Sequence, residues 1–183
     1  SSDVCSSDLE GDIVIVNGTL GDHGMTIMCA RNKLGLVGDL RSDCACLNSL
    51  VDTMLEAYGG IHVIRDATRG GIAAVLNEIS EFSNVTIAIE ENNLPVKEEV
   101  KGVTEMLGLD PLYIANEGKL CAFVPESHAQ NVLSAMQKHP LGVNATIIGK
   151  VTEEIGQMVY LNTVVGGKRL VDMPSGIQLP RIC

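Results

Sequence analysis

The stretch IHVIRDATRGGIAAVLNEISEFSNVTIAIE, Ile61 to Glu90, decides the fold class. IHVIR is short and β-branched and reads as a strand. DATRGG supplies turn residues, and from about Ile72 to Phe82 apolar residues recur at helical spacing. VTIAIE is a second strand. A strand, a helix and a strand joined by tight turns specify an α/β layer.

The same alternation extends outward. DIVIVNGT (Asp12 to Thr19) reads as a buried strand closed by Asn-Gly. DHGMTIMCARNKLG follows as a helix with Gly35 as its C′ residue. SDCACLNSLVDTMLEAYGG offers Ser42 or Asp43 as N-cap, an apolar stripe from Leu47 to Leu55 and a Gly59-Gly60 stop. Downstream, Pro95 opens a helix to about Leu107, LCAFV is a strand, and a helix from about Glu126 to Lys138 stops before Pro140. ATIIGKV, MVYLN and KRLVD are strands. The expected class is α/β (α+β): a two-layer sandwich of mixed β-sheet with helices over residues 10–172, with an extended, mobile tail over 173–183.

The 183 residues fit one domain with a substantial core. Aromatics are 3% with no Trp, so Ile, Leu, Val, Met and Ala must build that core. A net charge of −10 excludes broad contact with nucleic-acid phosphates. No apolar run approaches the ~20 residues of a membrane-spanning helix. Six cysteines in a chain without a signal-like start read as reduced thiols in the cytoplasm. The opening SSDVCSSDL (Ser1 to Leu9) repeats Ser-Ser-Asp without helical or strand period and resembles a translated sequencing adapter. It is expected to be foreign to the gene, which would then extend upstream, and Cys5 is set aside with it.

Several pieces are candidates for chemistry. Cys183 ends the chain, too close to the terminus for a prenylation box, and the compartment disfavours a disulfide. An incidental cysteine and a thiol on a Pro/Gly-containing arm both remain open. RDATRGGI (Arg65 to Ile72) places Gly70 and Gly71 at a helix start, as an anion site or as a plain tight turn capped by Asp66 or Thr68. ANEGKL sets Glu117 in a turn before a buried strand, either as a general base or as a solvated carboxylate. TLGDHG is a similar Gly-flanked turn, in which His23 reads as a capping or packing residue. Cys44-Ala45-Cys46 lacks the partners of a zinc site, so no metal ligand is assigned.

Set in order, GDHG, SDCACL, RDATRGG, LPVKEEVKGV, LGLDPLYIANEGKL, HPLG, IIGKV and the terminal PRIC resemble the C-terminal part of the HypE family of NiFe-hydrogenase maturation proteins, the carbamoyl dehydratases. That family lies within the superfamily of aminoimidazole ribonucleotide synthetase, and the resemblance runs from about Gly11 to Cys183. It implies the C-terminal domain fold of that superfamily and an ATP-dependent reaction. A carbamoyl group delivered by HypF to Cys183 is dehydrated to a thiocyanate, and cyanide then passes to iron on a HypC–HypD complex. By the resemblance, Cys183 is the carrier and nucleophile and Glu117 the base or its relay. Asp66, Arg69, Gly70 and Gly71 would line the cleft near the phosphates. ATP with Mg2+ is the implied cofactor, with most ligands and the homodimer interface on an N-terminal domain that would precede Gly11. This chain alone is therefore expected to be inactive. The rival expectations are a non-catalytic cysteine carrier or docking module, and another ATP-dependent synthetase or kinase of the superfamily.

Overall fold

A computed structural model of the chain describes residues 9–31, 40–154 and 156–174. Cys5, Gly35 and Cys183, and the tail from Ser175 onward, lie outside the described residues.

Seven strands form one mixed sheet: β1 (Ile13–Val16), β2 (Val63–Asp66), β3 (Thr86–Glu90), β4 (Leu120–Val124), β5 (Thr146–Thr152), β6 (Met158–Asn162) and β7 (Lys168–Leu170). Their spatial order is β2-β4-β1-β5-β3-β6-β7. Every pairing is antiparallel except β3 with β6, which runs parallel from Thr86↔Met158 to Glu90↔Asn162. The helices are α1 (Asp22–Arg31), α2 (Asn48–Ala57), α3 (Gly71–Ser83), α4 (Glu98–Leu107) and α5 (Glu126–Lys138). Among the described residues no helix is long and apolar enough to cross a membrane.

The period-two alternation of β1 and β4 divides the interior between the two faces of the sheet. Val14, Val16, Cys121 and Phe123 point to one face and pack with Ile72, Leu76 and Ile79 of α3 and Ile87 and Ile89 of β3. Ile15, Leu120, Ala122 and Val124 point to the other, against Leu50 and Met54 of α2 and Val132 and Met136 of α5. The mixed sheet with helices expected from the sequence is what forms, but α3 covers one face and α2 and α5 the other, which makes one layer more than the two expected. Leu9, the last residue of the opening repeat, is fully buried in the α3-side core. α1 and α4 close a smaller cluster around Met25, Val100, Val103 and Ile114.

Two helix starts differ from the sequence reading. Neither Ser42 nor Asp43 caps α2: the helix begins at Asn48, and Leu47 occupies the cap position without a side-chain hydrogen bond. The Asp43 carboxylate instead accepts the Glu117 N–H at 3.1 Å, a tertiary partner more than seventy residues away. Nor does Pro95 open α4, which starts at Glu98 after an extended Lys97. The Pro95 carbonyl accepts the Leu20 N–H at 2.8 Å, which holds that linker extended against the loop after β1. Helix ends followed local chemistry more closely. Asn84 (φ 53°) and Gly108 (φ 66°) both stop their helices in the left-handed region, each donating its N–H back into the last turn.

Candidate active-site face

Three loops meet at one buried amide. Asn116, 1% exposed, accepts the Gly21 N–H at 2.8 Å on its side-chain oxygen and donates through Nδ2 to the Ala67 carbonyl at 2.9 Å. One side chain thereby joins the TLGDHG turn, the RDATRGG turn and its own ANEGKL turn. Ala67 strengthens the junction by donating its N–H to the Lys119 carbonyl at 2.9 Å. Asn17 does similar work next door: its oxygen accepts the Leu120 N–H, and its nitrogen donates to the Gly118 and Leu141 carbonyls. Buried amides satisfied on both ends fix loops rigidly, because breaking either end strands a desolvated partner.

The RDATRGG turn follows β2. Gly70 (φ +76°) and Gly71 (φ +63°) adopt a conformation that side chains rarely take, and a Cβ on Gly71 would overlap the Leu112 and Ile114 carbonyls. No side chain caps α3 at this end; the Gly71 N–H donates to the Thr68 carbonyl at 3.1 Å. Asp66 and Arg69 are exposed; the Thr68 hydroxyl donates to Asp66 Oδ2 at 3.2 Å. Pro174 sits against Gly70. The run leading to it is pinned by Asn77 Nδ2 donating to the Val171 carbonyl at 2.9 Å and by the Tyr113 hydroxyl donating to the Asp172 carbonyl at 3.0 Å. Burial, aided by Asp110 and Asp172, pushes the Tyr113 phenol above its ordinary pKa, so it keeps the proton it donates.

On the other side of the Asn116 junction lies a cleft of about 340 Å³ lined by, among others, Thr19, Asp22, Asp43, Cys44, Lys97 and Lys119. Asp22, with a side chain 3% exposed, meets Lys97 Nζ at 2.9 Å and accepts the Thr19 hydroxyl at 2.5 Å. Asp43, likewise 3% exposed, faces Lys119 Nζ at 3.5 Å. His23 Nδ1 hydrogen-bonds the Ser42 hydroxyl at 2.8 Å, fastening α1 to the segment that carries Asp43. The sequence reading did not single out Asp22, Lys97, Asp43 or Lys119 as site residues. Their only local signal is position beside glycine- or proline-containing turns; the pairs are 75 and 76 residues apart along the chain and only the fold joins them.

Through Asn116 the fold ties together the turns that carry Glu117 and Asp66 to Gly71, while Cys183 lies outside the described residues. Glu117 is half-buried beside the Asn116 junction; Asp66, Arg69, Gly70 and Gly71 surround the start of α3. None of these five lines the Asp22–Asp43 cleft, which opens among other residues. Cys44 and Cys46 are exposed, and among the described residues no group of three His, Cys, Asp or Glu is placed to hold a metal ion. Cys121 is fully buried, and burial pushes its thiol pKa up, which leaves it a core residue.

Residues 10–161 match the AIR synthase related protein, C-terminal domain. The carbamoyl dehydratase HypE of Rhodobacter capsulatus is 50% identical over 173 residues, which cover 94% of this chain and 51% of that protein. Two solved structures are similar throughout. A HypE–HypF complex (TM-score 0.86, 45% identity) is covered over 90% of this chain and 53% of that one. A hydrogenase maturation protein HypE in complex with ATP (TM-score 0.89, 42% identity) is covered over 95% and 53%. The chain spans about half the length of the curated relatives it matches. Sequence and overall fold thus agree: the chain belongs to the AIR synthase related family, whose C-terminal domain it forms, and it is similar to HypE carbamoyl dehydratases along nearly all of its length.

Proposed function

We propose that residues 10–172 form the C-terminal domain of an ATP-dependent carbamoyl dehydratase that makes the cyanide ligand of a NiFe-hydrogenase, acting in the cytoplasm. Cys183 carries the reacting group on the arm that follows. Its thiolate accepts a carbamoyl group from HypF, forming the S–C bond of an S-carboxamide. The amide oxygen then attacks the γ-phosphate of ATP and ADP leaves. Loss of both nitrogen protons and of the oxygen as phosphate gives S–C≡N, with Glu117 receiving or relaying a proton. Cyanide is finally handed to iron on HypC–HypD; cleaving S–C≡N to thiolate and cyanide takes up two electrons, which a reductant on the acceptor complex supplies.

The observation that carries this reading is where the arm begins. Pro174 rests on Gly70, in the turn that Asn116 ties to the turn of Glu117. Nine residues lie beyond Pro174, and at an extended limit of ~3.3–3.6 Å per residue they reach roughly 30 Å. An arm rooted beside the site and that long can serve both a docked donor and an internal phosphate site. The uncapped start of α3, flanked by Arg69, is suited to an anion. Magnesium bound with ATP takes one or two carboxylates beside the phosphates. By the likeness to HypE we place most metal ligands, most ATP contacts and the homodimer interface in the other half of the HypE-like protein, and expect this chain alone not to turn over ATP.

Intact-mass analysis of the full-length protein with HypF, carbamoyl phosphate and ATP tests the proposal. Cys183 should gain a carbamoyl group and then lose the mass of one water when ATP is added, and Cys183→Ala should gain nothing. A carbamoyl mass unchanged by ATP would leave the chain a simple carrier. Activity that survives deletion of Arg181–Cys183 would make it another synthetase or kinase of the superfamily.

A further inference from the structure

We propose that Asp43 is a positioning residue for Glu117; the proposal rests on the reading of Glu117 as base or relay. Asp43 touches all three residues that follow Asn116. Its Oδ1 accepts the Glu117 N–H at 3.1 Å, and its Oδ2 faces Lys119 Nζ at 3.5 Å. Its own carbonyl oxygen occupies the space that a Cβ on Gly118 would need. The turn bearing the carboxylate is therefore held from both sides, by Asn116 toward Gly21 and Ala67, and by Asp43 from the segment before α2.

Two features separate this from ordinary packing. A carboxylate 3% exposed carries a desolvation penalty that a neutral residue of similar size would avoid. Asp43 nonetheless has one hydrogen-bonded oxygen, and its second has no hydrogen-bond donor within range, only the longer approach of Lys119. Lys119 is also the cation nearest to Glu117 along the chain, two residues away, and is drawn toward Asp43. Among the described residues no ion pair engages the Glu117 carboxylate. Asp43 thus fixes the Glu117 backbone and draws off the adjacent ammonium, leaving the carboxylate to accept a proton from substrate.

The test follows ATP-dependent water loss from carbamoylated Cys183 in the full-length protein, comparing Asp43→Ala, Asp43→Asn, Glu117→Gln and the Asp43→Ala/Glu117→Gln double variant. Asp43→Ala should lower kcat about 10- to 100-fold with the KM for ATP little changed, the size expected for a small misplacement of a reacting group. Asp43→Asn keeps an acceptor for the Glu117 N–H and loses only the charge that draws Lys119, so it should recover part of that loss. Adding Asp43→Ala to Glu117→Gln should cost nothing further, because both act through one group. The inference is overturned if Asp43→Ala turns over normally while Glu117→Gln is inactive. It is equally overturned if the two losses multiply, or if the Ala and Asn variants fall alike. A fully active Glu117→Gln instead sinks the reading of Glu117 itself, and the positioning role with it.

Discussion

The ANEGKL and RDATRGG turns look alike in sequence, each a short Gly-containing loop against a buried strand, yet the fold treats them differently. ANEGKL is clasped: Asn116 ties it to two other loops, Asp43 grips its next three residues, and Asn17 holds the Gly118 carbonyl. RDATRGG is held by the Ala67 N–H, by Arg65 pairing with Glu78 and by the glycines under Leu112 and Ile114, while its Asp66 and Arg69 side chains are exposed. A carboxylate that must meet one atom at one distance gains from a rigid mount. On the proposed reading Arg69 steers an anion toward the start of α3, which works at longer range and tolerates mobility.

The glycines test this contrast at its strongest. Gly118→Ala in one turn and Gly71→Ala in the other should each destabilise by about 3 kcal/mol in urea unfolding, since a Cβ meets backbone oxygens in both places. A loss below about 1 kcal/mol at either site would show that the loop yields. Asn116→Ala comes next, with about 2 kcal/mol lost, because the Gly21 N–H and the Ala67 carbonyl are left without their buried partner.

A smaller, pH-dependent effect should appear outside both turns. Burial raises the Asp12 pKa above 3.8, partly opposed by the His62 ring at 2.8 Å. A folded pKa above the unfolded one favours the protonated form in the native state. That contribution is complete below pH 3.8 and fades as pH rises through the raised value. Urea midpoints of wild type should therefore fall relative to Asp12→Asn over that acid range, and parallel profiles would remove the effect. The smallest change is expected from Asp66→Ala and Arg69→Ala, under about 0.5 kcal/mol each, because both are exposed. Should either match Asn116→Ala in stability, the distinction between a clasped and an open turn fails.

The strands were legible because runs such as IVIV, TIAIE and LCAFV combine β-branched residues with lengths suited to a buried sheet. Helix ends at Asn84 and before Pro140 were legible for local steric reasons. The starts of α3 and α5 were legible too, but those of α2 and α4 were not. Asp43 has the chemistry of an N-cap, and nothing nearby in sequence announces that the Glu117 N–H will claim its carboxylate instead. For the same reason the site was legible only as separate pieces. Glycine-rich turns, Glu117 and the terminal cysteine stand out one by one, whereas the Asp22–Lys97 and Asp43–Lys119 pairs of the cleft do not.

By itself, the sequence determined the sheet-forming segments, the helices between them and the ordered motifs shared with HypE proteins, because periodicity and turn chemistry act over a few residues. Tertiary structure alone decided which turns share a buried amide, which carboxylate grips the turn of Glu117, and what pins Val171 and Asp172. Those contacts join residues 49 to 103 positions apart, and such pairings are set by packing in three dimensions, where local propensity has no say.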